Sequence, residues 1–156
     1  MSIEHADMLH GVSAADAARL VALGSRAHVP TGALLFELGA EARDVYLIER
    51  GRIALTLPMV FGDRHEDVMV EDRTAGQLVG WSGLIPPHRF TLKATAQIDT
   101  DVLVLPRAPV LALFDANPAL GYAVMRNLAS IVGQRLQMTQ AMWLREMQRF
   151  VESRSS

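Results

Sequence analysis

The segment from Gly76 to Ala96, GQLVGWSGLIPPHRFTLKATA, gathers the residues of this chain best suited to holding a small anion. Gly80 and Gly83 bracket a turn whose backbone N–H groups can converge on one concavity, and Ser82 adds a hydroxyl. Arg89 offers a guanidinium fork that can take two oxygens at once, and Thr91 a second hydroxyl. Between Thr74 and Ile98 there is no Asp or Glu, although the whole chain has 17 acids and 15 bases. A tight loop between two strands would show the same composition, so composition alone leaves both readings open. Lys93 reads as a solvated strand residue. His88, beside Pro86-Pro87, reads as a loop residue rather than a ligand or base.

Other chemistries find less support. There is no cysteine, which excludes disulfides, thiolate-bound metal and a cysteine nucleophile. The histidines at 5, 10, 28, 65 and 88 lack the spacing of a metal site, so no metal is expected. No nucleophile–base constellation stands out, and the expectation is that the protein is not an enzyme. A net charge of −2 does not suit a protein that coats nucleic acid. The N-terminus does not resemble a signal peptide, and no run approaches the ~20 apolar residues of a membrane span. A cytoplasmic protein without membrane contact is expected.

The elements that must position these residues can be read from periodicity. Ser13 and Asp16 make a capping-box-like start to a helix over 13–27. From His28 the pattern turns to short segments bounded by Gly, Pro or charged pairs. Strands are expected at Leu34–Phe36, Val45–Glu49, Arg52–Pro58, Asp67–Val70, Thr91–Gln97 and Val102–Pro106. Hairpin turns are expected at Glu49–Arg52 and Phe61–Glu66, the first using Gly51. Strands this short and regular indicate a sandwich or jelly roll over 28–107. Helical periodicity returns over 108–150, with a break at Asn117-Pro118. Leu128, Val132, Leu136, Thr139, Trp143, Met147 and Phe150 form one stripe of the last helix. That helix, from about Ala119, would run ~45 Å, beyond what a small β-roll covers. Self-association through Leu136, Trp143, Met147 and Phe150 is therefore expected, giving a homodimer. The tail from Glu152 is expected to fray.

The order of these elements resembles the cyclic nucleotide-binding domain, the sensor half of catabolite-activator and FNR-type regulators. Gly32-Ala-Leu-Leu-Phe-Glu-Leu-Gly39 is similar to that family's first Gly-spaced hairpin. Val45-Tyr46-Leu-Ile48-Glu-Arg-Gly51 is similar to its aromatic-x-hydrophobic-x-x-Gly turn. Gln77 to Ala96 takes the place of its phosphate-binding cassette. The resemblance implies one mainly-β domain over 1–156, a double-stranded jelly roll with flanking helices and a long C-terminal helix.

The cassette departs from the family pattern. The family's Gly-Glu-hydrophobic-Ala opening reads Gly80-Trp81-Ser82-Gly83, so Trp81 replaces the carboxylate that would hold a ribose hydroxyl. Gap-free counting puts Phe90 at the family's phosphate-binding Arg, with Arg89 one residue earlier. Losing a charged acceptor costs about 1.5–3 kcal/mol, or roughly ten- to a hundred-fold in affinity. Tight binding of cAMP or cGMP is therefore not expected.

Two functions follow from the resemblance. The first is a non-catalytic sensor or regulatory domain taking a small anion, or a cyclic nucleotide weakly, at Gly80, Trp81, Ser82, Gly83, Arg89 and Thr91. The second is a protein-interaction and dimerisation module whose vestigial pocket is filled by Trp81. Its protein partner is not named by the sequence. The transcription factors of the family carry a helix-turn-helix after the long helix, and none is expected here, nor direct DNA binding.

Overall fold

The computed structural model describes residues 3–155; the domain limits expected at Met1 and Ser156 lie outside the described residues. Two short 3-10 turns, Ile3–His5 and Asp7–Leu9, precede α1 (Ala14–Val21). Eight strands follow: β1 (Ser25–Val29), β2 (Leu34–Phe36), β3 (Asp44–Arg50), β4 (Arg52–Phe61), β5 (Arg64–Thr74), β6 (Leu78–Val79), β7 (Lys93–Ala96) and β8 (Thr100–Pro106). They form two antiparallel four-stranded sheets, ordered β1-β8-β3-β6 and β2-β7-β4-β5. Helices α2 (Arg107–Ala116) and α3 (Pro118–Ser155) complete the chain. This is the mainly-β roll with flanking helices that the strand spacing pointed to.

Period-two alternation builds two cores at once. In β3, Val45 and Leu47 face the helices while Tyr46 and Ile48 face the inside of the roll. In β8, Leu103 and Leu105 join the helical side, and Val102 and Val104 the roll. The helical core adds Met8, Leu20, Val110, Phe114, Leu120, Val124 and Leu128. The roll interior adds Phe36, Ile53, Leu55, Phe90, Leu92 and Ala94.

Local signals hold at several boundaries. The Ser13 hydroxyl accepts from the Asp16 N–H at 3.2 Å, which caps α1. Pro118 opens α3, where its missing N–H costs nothing, and the Asn117 side chain accepts from the Leu120 N–H at 3.2 Å.

Three expectations need correction. The first helix stops at Val21, not at residue 27, because Ser25–Val29 pairs with β8 in register from Ser25↔Val104 to Val29↔Thr100. The exposed edge of β8 outweighs the helix propensity of the Ala-rich run. Glu49–Arg52 is no hairpin, since β3 pairs with β6 and β8 while β4 pairs with β5 and β7. It is the corner where the chain changes sheets. Gly51 has φ of 115°, and a Cβ there would strike the Thr100 Cα at 2.6 Å. The tail does not fray at Glu152, because α3 continues to Ser155. Phe61–Glu66 does form a hairpin tip, between β4 and β5.

One buried charge network ties the N-terminal turns, the roll and α3 together. The Arg73 side chain, only 8% exposed, donates to Asp7 at 2.8 Å, to Glu71 at 2.9 Å and to the Leu78 carbonyl at 3.1 Å. The second oxygen of Glu71 takes Arg135 of α3 at 2.7 Å. Burial pushes the Asp7 carboxyl up, against the pull of Arg73. Burial likewise pushes Arg135 down, against Glu71. Two backbone carbonyls, of Met8 and His10, accept from the Asn127 amide at 2.8 Å each and seat the N-terminal turns on α3. Replacing Arg73 with Met leaves the Asp7 carboxylate without its cationic partner and Glu71 with Arg135 alone. Urea unfolding should show a loss of about 3–5 kcal/mol, whereas Arg149→Met on the exposed end of α3 should change stability by less than about 0.5 kcal/mol.

Candidate functional site

The candidate site is built on the loop between β6 and β7. Gly80 has φ of 79° and opens a 3-10 turn, Trp81–Gly83. The left-handed φ disfavours any side chain at Gly80, and a Cβ there would also crowd the Phe90 ring at 3.0 Å and the Phe36 ring at 3.3 Å. Gly83 packs its Cα face on the Asp44 carbonyl with no room for a side chain. Pro86-Pro87 is a cis peptide, and His88 follows with φ of 57°. The His88 ring bonds the Ser82 carbonyl at 3.0 Å. Backbone bonds from Ala42 N–H to the His88 carbonyl, from Phe90 N–H to the Ala40 carbonyl and from Gly39 N–H to the Phe90 carbonyl stitch the loop to residues 39–42.

This stitching decides which side chains face inward. Phe90 and Leu92 turn into the roll and are buried, whereas Arg89 and Thr91 are exposed. The Phe90 ring stacks on Phe36 at 3.7 Å between centroids and 7° between planes. Phe36 in turn lies 5.9 Å from Tyr46, whose phenol is pushed up by burial and by Asp44. Phe90, not Arg89, therefore occupies the inward position that the register left open between them. Arg89 donates instead to the Gly39 carbonyl at 3.3 Å on the outer surface.

The space left inside is small. Gly80, Trp81, Ser82 and Thr91 line one cavity of about 10 Å³, together with Phe36, Leu55, Phe90, Leu92 and Arg135. That volume holds one water at most. Gly83 and Arg89 are not among its lining residues. Trp81 touches the cavity, but its indole packs on the helical core, so the expectation that Trp81 fills the roll is corrected: Phe90 and Phe36 fill it. Lys93 pairs with Asp67 across the sheet at 2.8 Å, which raises its ammonium pKa.

Five residues that line this cavity, Phe36, Leu55, Phe90, Leu92 and Arg135, were not singled out as site residues from the sequence. Phe36 sits in an ordinary strand and gives no signal of its own. Phe90 was marked by gap-free counting alone. Arg135 comes from a helix remote in sequence and had no signal at all.

The family model of the cyclic nucleotide-binding domain matches residues 26–117, more than half of the chain. The chain belongs to the cyclic nucleotide-binding domain family. Solved structures of similar fold include the catabolite activator protein of Thermus thermophilus, with 24% identity over 88% of this chain and 62% of that one and a TM-score of 0.72. The c-di-GMP-responsive global regulator CLP of Xanthomonas campestris has 18% identity over 85% and 64%, with a TM-score of 0.74. The sensor domain of the transcriptional regulator DNR of Pseudomonas aeruginosa has 15% identity over 86% and 89%, with a TM-score of 0.68. No curated protein sequence matches. At these identities the neighbours establish the fold of a cyclic nucleotide-binding domain, and its ligand has to be argued from the side chains present.

Phe90 should behave as a structural residue of the roll. Phe90→Ala is expected to cost about 3–5 kcal/mol in chemical denaturation, the range for a buried ring deleted from a packed core. A loss under about 1 kcal/mol would mean that the ring is not packed inside.

Proposed function

We propose that this chain is a non-catalytic regulatory module of the cyclic nucleotide-binding domain family whose roll is closed by its own aromatic side chains. It acts through its surfaces and through dimerisation. The observation that carries this reading is the Phe90–Phe36 stack, which leaves about 10 Å³ at the family's ligand position. Ligand pockets are on the order of 300–1,000 Å³. Admitting a nucleotide would expel a buried phenyl ring, at about 3–5 kcal/mol, and would reduce affinity more than a hundred-fold. Trp81 in place of the ribose-binding carboxylate removes a further contact.

The surface available for dimerisation is on α3. Its 38 residues extend ~57 Å, yet its buried positions end at Ile131. Beyond that point Leu136, Trp143, Met147 and Phe150 stand exposed, Trp143 at 61%. With Leu144 and Val151 they make an apolar face too large to leave in water. A second copy of the same helix covers such a stripe with matching geometry.

A second reading, a small anion bound near Gly80–Thr91, keeps one supporting observation. Arg135 and Ser82 line the residual cavity, and both are largely buried. An anion reaching Arg135 would have to displace the Glu71 carboxylate.

Calorimetry separates the readings. Millimolar cAMP or cGMP should give no binding heat and shift Tm by less than about 1 °C. A nucleotide present at 100 times its Kd would add about 2.7 kcal/mol and raise Tm by several degrees. That result would overturn the closed roll. Light scattering tests the helix interface: the native chain should be a dimer and Trp143→Glu a monomer. A dimer that survives the substitution would place the interface elsewhere.

A further inference from the structure

The loop that turns Phe90 inward carries Arg89 to the outside, where it joins two other arginines. Arg43 donates to Glu41 at 3.2 Å, and Arg107 stands 3.8 Å from the other oxygen of the same carboxylate. Arg89 and Glu41 face each other in an isolated β-bridge. Arg43, and after it Arg107 and Arg89, hold the Glu41 carboxyl below its usual range.

Two of the guanidiniums are fixed by the backbone, Arg107 on the Ala42 carbonyl at 2.6 Å and Arg89 on the Gly39 carbonyl at 3.3 Å. Each still has several N–H donors unspent. Arg43 is 76% exposed and Glu41 48%. A surface hollow of about 350 Å³ opens beside them, lined by Arg43, Asp44, Arg107, Ala108 and the two prolines 106 and 109. With Glu41 and Asp44 counted, the group retains one positive charge on a chain whose net charge is −2.

We propose that Arg43, Arg89 and Arg107 form a docking surface for an acidic segment of a partner protein. Arg89 and Arg107, already held on backbone carbonyls, can offer further donors to a carboxylate with little loss of side-chain freedom, and the exposed Arg43 adds a third guanidinium. The remaining Asp44 and the small charge excess fit a short peptide carboxylate cluster better than a polyanionic nucleic acid backbone. The surface deepens the reading of the chain as an interaction module, and it lies on the outer face, so it does not depend on whether the roll admits a ligand. The nucleotide titration tests the closed roll separately.

The test uses the full chain and fluorescein-labelled hexaglutamate at low ionic strength, read by anisotropy. Arg43→Glu/Arg89→Glu should weaken binding at least tenfold, and the milder Arg43→Gln/Arg89→Gln severalfold, with Tm and oligomeric state kept. Arg19→Glu/Arg64→Glu makes the same change of net charge at two exposed arginines elsewhere and should weaken binding less than twofold. Three results would overturn the proposal: no peptide binding by the native chain, equal loss in the control variant, or tighter binding of a single-stranded oligonucleotide of equal charge that the same substitutions abolish.

Discussion

A phenyl ring stacked 3.7 Å from another inside a β-roll is the contact on which this molecule turns. The roll brings Phe36 from β2 and Phe90 from the loop between β6 and β7 to the same interior point, and Tyr46 backs them from the opposite sheet. Gly80 takes a left-handed φ against these rings, and the loop from 80 to 92 takes its path around them. Once Phe90 is inside, its neighbours in sequence must face out. Arg89 leaves the interior for that reason, and the polar chemistry of the cassette moves to the surface with it.

The same closed roll serves as a rigid base for α3. Apolar packing holds the first turns of the helix, through Leu120, Val124, Leu128 and Ile131. Past Ile131 the attachment is electrostatic, through Arg135 on Glu71 and Glu71 on Arg73. These charges are buried, so their value lies in fixing geometry more than in net stability. The helix then projects beyond its own domain with its apolar face uncovered. A domain whose cavity is filled but whose helix still projects in this way keeps the means to associate.

Most of the fold was legible in the sequence. β-branched alternation marked β3, β4 and β8, and the Asn117-Pro118 break separated α2 from α3. The failures share a cause. Ser25–Val29 follows an Ala-rich helical run, and only the waiting edge of β8 makes it a strand. Gly51 signals a turn, but whether the turn pairs two strands or joins two sheets depends on partners distant in sequence. The site was less legible still. The unusual cassette could be seen, and so could the two candidates Arg89 and Phe90 for its inward position. Their orientation was set by backbone bonds to residues 39–42, which no local pattern announces. Trp81 stood out because it replaces the family's carboxylate, but the filling of the roll fell to Phe36 and Phe90.

The most direct measurement is NMR of the chain with ¹³C-labelled phenylalanine rings, recorded with and without millimolar cAMP. A closed roll predicts upfield-shifted ring protons for Phe36 and Phe90 and strong cross-relaxation between them, unchanged by the nucleotide. Ring shifts near random-coil values, or cross-relaxation between Phe36 and Phe90 that disappears when cAMP is added, would show that the roll opens and would contradict its closure by these two rings.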